Sequence, residues 1–285
     1  MLSNKVVMDW DLTVTSKNKL IDIKLRELVH YRDLILMFFI RDFTTIYKQT
    51  ILGPLWHILN PLCATLVYAF TFGRIAGIGT DGIPSLLFYY GGTMLWTFFS
   101  TCLNTASGIF LNNAGVFGKV YFPRLVVPIA TTFSAIFKML IQFLMLMTFL
   151  IYYILSGNSV HPTFMALLFP VMILWLGALG TGFGMIFSAL TTKYRDLSNV
   201  LAMMLQLAMY ITPVVYPLSQ VPDDLKLFFY FNPISAPMEL FRIWFYGVGN
   251  VPSSMILISI AITILVVLLG LTLFTRNERT CMDVI

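Results

Sequence analysis

Residues 125–192 carry one charged side chain, Lys138, in 68 consecutive positions. A soluble domain places a charge at about every fourth position, so a stretch this apolar cannot be solvated and belongs in a bilayer. A helix crossing hydrocarbon needs about 20 apolar residues. The stretch therefore holds two crossings, and Ser156-Gly157-Asn158-Ser159-Val160-His161-Pro162 is the break between them. The rest of the chain agrees. Of 285 residues, 58% are hydrophobic and 11% charged, against roughly 25% charged in an ordinary globular domain. Too little polar side chain remains to cover a water-facing surface, which excludes a cytosolic enzyme, a disordered tail protein and a secreted disulfide scaffold. The net charge of +5 would suggest nucleic acid in a soluble chain. In a membrane chain it reports loops held at the cytoplasmic face, and no nucleic-acid partner is expected.

Charges mark the ends of the remaining spans. The sequence predicts an all-α polytopic protein with six transmembrane helices, at about 51–73, 85–109, 125–155, 163–190, 197–218 and 251–275. Residues 220–248 are aromatic and apolar but interrupted by Asp223, Asp224, Lys226, Asn232-Pro233, Pro237, Glu239 and Arg242. Neither half can span alone. Two re-entrant half-helices on the outer side fit, because broken backbone at membrane depth must be buried in protein or line a cavity. Cys63, Cys102 and Cys281 lack metal or redox spacing and read as small hydrophobes. No metal site is expected.

The N-terminus has charges scattered up to Asp33 and no apolar h-region, so it is not a signal peptide. Residues 1–21 read as a cytosolic extension and 276–285 as a cytosolic tail. Six spans put both termini on one side. With a cytosolic N-terminus, fourteen of the eighteen basic residues lie inside and only Arg74, Lys226 and Arg242 outside, which fixes the orientation by the positive-inside rule. In the stretch at about 22–49, Ile35, Leu36, Phe39, Ile40, Phe43, Ile46 and Tyr47 recur at helical spacing opposite Arg41, Thr45 and Lys48. That is an amphipathic helix for the inner interface; a helix docking on a partner would carry the same pattern.

Ion-coupled carriers usually hold Asp, Glu or His inside their spans, and none of the thirteen acids falls inside one here. The chain also lacks His-Glu-x-x-His, paired carboxylates, G-x-S-x-G and the phosphate-cradling G-x-x-x-x-G-K-[ST] loop. Energy for any active transport must then come from another subunit. The spans nevertheless carry polar stripes at steps of three and four. These are Thr93, Thr97, Ser100, Asn104 and Ser107 in span two; Thr131, Ala135, Lys138 and Gln142 in span three; and Asn199, Met203, Gln206, Tyr210 and Pro213 in span five. Interhelical hydrogen bonds, worth ~0.6 kcal/mol each on average, account for such stripes, and so does a lumen. Gln206 and Tyr210, beside a proline-broken helix end, favour the lumen. Lys138, ~18 Å into its helix, requires a partner or a water-filled cavity. Flat aromatic faces stack on sugar rings, making Tyr68, Phe72 and Tyr210 candidates for a carbohydrate path. Gly177, Gly180, Thr181, Gly184 and Ser188 give span four a small-residue packing face.

Three stretches resemble one family. Arg41-Asp42-Phe43 through Tyr47-Lys48-Gln49-Thr50-Ile51-Leu52-Gly53-Pro54-Leu55-Trp56 is similar to the start of the first span in ABC-transporter permeases that export polysaccharides and polyol phosphates. Lys119-Val120-Tyr121-Phe122-Pro123-Arg124 resembles that family's inner segment between spans two and three. Tyr194-Arg195-Asp196, with Thr212-Pro213-Val214-Val215-Tyr216-Pro217-Leu218 and Asn232-Pro233, resembles its fifth span and outer gate. The likeness runs from about Arg32 onward.

The resemblance implies a type-2 ABC exporter domain over 22–275, working as a homodimer with two copies of a separate nucleotide-binding ATPase. This chain would bind no cofactor, and ATP and Mg would sit on the partner subunit. The implied cargo is an undecaprenyl-type lipid-linked glycan, O-antigen-like or capsular, crossing the bacterial inner membrane. The implied substrate channel includes Tyr68, Phe72, Gln206, Tyr210 and Lys138. Lipid-carrier contact at the inner rim would come from Arg41, Lys48 and Arg124, and ATPase coupling from Asn112, Asn113 and Lys119. Pro222, Asn232, Pro233, Glu239 and Arg242 would form the outer gate. No catalytic residue is implied. Teichoic acid export is the nearest alternative and a small-lipid or drug permease the next. An integral membrane enzyme acting on lipid-linked sugars is opposed by the missing carboxylate constellation.

Overall fold

The computed structural model describes residues 30–47, 53–119, 122–157, 160–194 and 196–280, and every regular element among them is helical. Helix α1 (Arg32–Tyr47) leads to α2 (Trp56–Tyr68), which continues as a π-helix over Ala69–Ile75. Then come α3 (Ser85–Ser107) and two single turns, α4 (Ile109–Asn112) and α5 (Ala114–Phe117). The long helices α6 (Val126–Leu155) and α7 (Phe169–Lys193) follow. The chain ends with α8 (Leu197–Ile211), the short α9 (Asp223–Phe231) and α10 (Ser235–Tyr246), and α11 (Ser253–Thr280). Among the described residues, four helical stretches are long and apolar enough to cross a membrane: Trp56–Ile75, Val126–Leu155, Phe164–Lys193 and Ser253–Asn277. The protein is a multi-pass membrane protein.

The other two expected spans differ for separate reasons. Helix α3 is long enough, about 34 Å at 1.5 Å per residue, but it carries the Thr/Ser/Asn stripe and is the central helix, with sixteen of its 23 residues buried. Helix α8 stops at Ile211 and not at 218. Its 15 residues reach about 22 Å, short of the ~30 Å hydrocarbon thickness. Pro213 is the cause. A proline pushes the residue before it out of the helical region, and Thr212 is extended at φ −104°, ψ 145°.

Small residues set the packing around α3. A Cβ on Gly184 of α7 would stand 2.4 Å from Ala106 Cβ and 2.6 Å from the Leu103 carbonyl, so the two backbones touch directly. On the opposite side of α7, a Cβ on Gly270 of α11 would lie 2.5 Å from the Gly182 carbonyl. Helix α7 is thus clamped between α3 and α11. Thr132 and Thr181 join their hydroxyls at 2.8 Å between α6 and α7, and Trp175 Nε1 donates to Thr263 Oγ1 at 2.9 Å. Gly247 ends α10 in the left-handed conformation, φ 74°, the usual glycine terminator. A side chain there would also strike the His161 carbonyl at 2.7 Å.

At the other end of the bundle, α1 lies across α6. Phe39 and Phe43 set their rings edge-on to Phe137 at 6.0 and 5.2 Å, and Phe38 is buried against Phe122. Leu36, Met37 and Ile40 remain exposed. The helix is therefore apolar on two sides, one spent on the protein and one left for an apolar surround. Residues 22–29 and 48–49 of the expected interface helix lie outside the described residues.

Candidate functional site

A cleft of about 220 Å³ opens between α2, α3 and α6. Helix α2 lines it with Trp56, His57, Asn60, Pro61, Ala64 and Tyr68, α3 with Thr93, Trp96 and Thr97, α6 with Gln142, and α8 with Met209. Two physical features create it. Pro61 lacks the amide hydrogen that would close a helical turn onto the His57 carbonyl, which loosens α2 along this wall. The π-helix above it widens the same helix, closing i→i+5 rings such as Ala76 N–H to the Thr71 carbonyl at 2.9 Å.

Of the five residues expected along a channel, the structure brings one into the cleft. Tyr68 lines it, donates its hydroxyl to Met209 Sδ at 3.7 Å, and holds its ring 5.9 Å from Phe72. Phe72 is half-buried beside it, outside the lining. Gln206 and Tyr210 are exposed on α8, away from the lining. Lys138 is half-buried one turn from Gln142 on α6, within electrostatic reach of Asp42 on α1 and His57 on α2. The Thr/Ser stripe of α3 divides. Ser100 returns its hydroxyl to the Thr97 carbonyl and Ser107 to that of Asn104, within the helix. Thr93 and Thr97 line the cleft, Thr93 bonding the Tyr89 and Tyr90 carbonyls and meeting the Thr65 hydroxyl of α2 at 3.4 Å. Trp56, Asn60, Trp96 and Gln142 line the same space without having been singled out as channel residues. Their sequence signals were the Gly-Pro-Leu-Trp motif and the i,i+4 step from Lys138 to Gln142.

A second polar centre sits where α8 ends. Arg242 and Glu239 of α10 form an ion pair whose side chains are each only 4% exposed. Arg242 Nη2 donates to the Pro213 carbonyl at 2.6 Å and to that of Val214 at 3.5 Å, and its guanidinium lies 4.1 Å from the centre of the Phe88 ring. Glu239 Oε1 also accepts the Leu218 N–H at 3.2 Å. Arg242 thus satisfies two carbonyls of the turn that follows α8. Carbonyls orphaned at the helix end itself accept from Thr212 Oγ1 (Ala208, 2.9 Å), the Tyr216 hydroxyl (Tyr210, 2.7 Å) and Asn232 Nδ2 (Ile211, 3.5 Å). Asn232 Nδ2 donates to Thr212 Oγ1 at 3.1 Å, and the Pro233 carbonyl accepts from Ser259. Pro222 caps α9, its carbonyl accepting the Leu225 N–H at 3.0 Å. The five residues expected at a gate all bear on the α8–α9–α10 corner, with Glu239 and Arg242 as its buried clamp.

At the α1 end, Arg41 Nη1 donates to Asn113 Oδ1 at 3.2 Å, tying α1 to the α4–α5 turns. Asn113 is buried and its amide donates to the Ile109 carbonyl at 3.1 Å, whereas Asn112 and Lys119 are exposed. Arg124 is 5% exposed, its guanidinium 5.1 Å from the Phe117 ring centre and 6.0 Å from that of Phe110. An arginine prefers such aromatic faces to bare hydrocarbon. Its burial removes it from the rim where its charge alone would put it. Lys48 lies outside the described residues.

The family model described as ABC-2 type transporter matches residues 33–246, from the first turn of α1 to the last residue of α10. The chain belongs to the ABC-2 type transporter family. It is 29% identical over 224 residues to the O-antigen export system permease protein RfbA of Myxococcus xanthus, covering 78% of this chain and 83% of that one. A Klebsiella pneumoniae protein of the same name is 27% identical over 222 residues, covering 76% and 82%. The polysialic acid transport protein KpsM of Escherichia coli is 26% identical over 206 residues, covering 72% and 78%. In this ABC-2 family the ATPase is a separate subunit and the membrane chain is not itself an enzyme.

Proposed function

We propose that the chain is the permease subunit of an ATP-driven exporter that moves a lipid-linked polysaccharide, O-antigen-like in the first instance, across the bacterial inner membrane. Two copies pair over two ATPase subunits, which hold ATP and Mg. Six segments cross the membrane, with α3 and α8 as the two polar or short ones, both termini in the cytosol, and α9–α10 as re-entrant helices at the outer end. The observation that carries this reading is the cleft. It is lined by indole and phenol rings, an imidazole, amides and two threonine hydroxyls, and no carboxylate is among its lining residues. Rings and amides bind a hydrated glycan weakly and repeatedly, as passage requires; a carboxylate would instead suit ion coupling. The exposed apolar faces of α2 (Leu66, Val67, Phe70) and α8 (Met203, Met204, Leu207) provide the surface on which a second copy closes the path. The α4–α5 turns, tied to α1 through Arg41 and Asn113, are the point where ATPase motion enters.

Relatives named for polysialic acid transport favour a capsular polymer as the second reading. Deletion of the gene followed by surface-polymer analysis tests both. Loss of one surface glycan, with its lipid-linked form retained inside, is the expected result, and the glycan lost names the cargo. The purified two-plus-two complex should hydrolyse ATP faster when the undecaprenyl-linked glycan is added. Intact surface polymers in the deletion strain would overturn the proposal.

A further inference from the structure

Gln142 lies one turn along α6 from Lys138 and is 4% exposed. It lines the cleft, and its amide Oε1 is buried with no hydrogen-bond partner among the described residues. Its backbone is occupied, since its carbonyl accepts the Tyr90 hydroxyl at 3.3 Å. A buried acceptor left unmade costs about 1–3 kcal/mol, so a donor has to reach it through the cleft. The surrounding groups describe that donor. Trp96 presents a buried indole, Trp56 a half-exposed one at 47%, and Asn60 and Thr97 supply an amide and a hydroxyl. The volume of about 220 Å³ exceeds the ~150 Å³ that holds a benzene-sized ring. His57 is the one imidazole among the lining residues, which include no acidic side chain, lysine or arginine.

We infer that this cleft is a binding subsite for one neutral, hydroxyl-rich sugar unit, whose O–H donates to Gln142 Oε1 while its apolar ring face lies against Trp96. The inference rests on the polysaccharide reading and adds to it a defined stopping point inside a single chain, between α2, α3 and α6. A subsite of rings and uncharged polar groups, with no carboxylate, lysine or arginine among its lining residues, holds a unit for a step and then releases it, whereas a fixed ion pair would trap the polymer. Between units, water serves the same acceptor, and each incoming hydroxyl replaces it. Trp56, half-exposed, forms the mouth through which the unit enters.

In-cell photo-crosslinking tests this in the assembled transporter. A photoreactive benzoylphenylalanine replaces Trp56, with Phe133 of α6, 52% exposed, as the control position. Glycan-bearing adducts are expected at 56 and not at 133. Gln142→Met, which keeps size but removes the acceptor, should lower the adduct roughly fivefold or more, the equivalent of one hydrogen bond. Trp96→Phe should retain the adduct and Trp96→Leu lose it, with membrane insertion and co-purification of the ATPase subunit confirming that each variant is folded. An undiminished adduct in Gln142→Met, or adducts formed only with acidic sugars, would overturn the neutral subsite. Absence of any adduct at 56, in a strain whose surface polymer depends on the chain, would remove the subsite and leave the export function standing. If the surface polymer does not depend on the chain at all, both fall together.

Discussion

Helix α3 has two unlike sides. Toward α7 it meets glycines so closely that Gly180 and Gly184 leave no room for a methyl group, and Thr191 donates to the Ser107 carbonyl at 2.7 Å. Toward α2 the same helix leaves a cleft bordered by Trp96, Thr97 and Gln142. The first side pairs its hydroxyls within the protein, Ser188 with the Met185 carbonyl, Thr191 with that of Ser107 and Thr181 with the Thr132 hydroxyl. The second leaves a buried acceptor open. A membrane helix gains little hydrophobic energy from meeting another helix and relies on packing and hydrogen bonds. Close glycine contact therefore marks a joint that stays shut, and an unfilled polar gap marks one that receives something.

The locked side should be the side that breaks folding. Arg242→Met strands Glu239 in the clamp at the end of α8, an expected loss of about 3–5 kcal/mol, visible as a large drop in thermal midpoint in detergent. Replacing both partners with Met should recover only part of it, because the Pro213 carbonyl and the Leu218 N–H lose their side-chain partners. Gly184→Val drives a side chain into Ala106 and should cost about 1–3 kcal/mol or more, read as lost yield of folded protein. On the open side the pattern should reverse. Trp56→Ala should change stability by no more than about 0.5 kcal/mol yet clearly lower polymer export in cells. If Trp56→Ala unfolds the chain while Gly184→Val is tolerated, the two sides have been assigned backwards.

The smallest effect concerns neither side and serves as a baseline. Lys226, hydrogen-bonded to Asp223 at the start of α9, holds that carboxyl below its ordinary value of 3.8. Its contribution is present above that ordinary value and disappears as pH falls through the lowered one. A carboxyl NMR titration should find the midpoint below 3.8, and Asp223→Asn should leave export unchanged.

The helical, polytopic character of the chain is legible because hydrocarbon tolerates so few charges that Arg74, Lys138 and Lys193 punctuate the sequence by themselves. Helix α8 was read too long because an apolar count does not register that Pro213 forces Thr212 out of the helix before the apolar run ends. Arg124 was read as a rim contact from its charge, since a sequence does not say that Phe110 and Phe117 fold back to cover it. The cleft escaped for a different reason. Trp56, Trp96 and Gln142 come from three helices, Gln142 on the polar stripe of its helix and Trp56 within the Gly-Pro-Leu-Trp motif, and a helical wheel fixes which residues share a face but not which faces meet. Gln206 and Tyr210 share a face that is exposed on α8 within the single chain.

The π-helix over Ala69–Ile75 gives the first long helix a store of slack. Each of its rings closes five residues on, where an α-helix closes four, so the segment holds more chain per turn than its length needs. Below it, Tyr68 is moored to Met209; beyond it, Asp81 is moored to Ser219 by hydrogen bonds of 2.8 and 2.9 Å. The wider winding therefore lies between two side-chain anchors, and it joins the wall of the cleft to the corner held by Arg242.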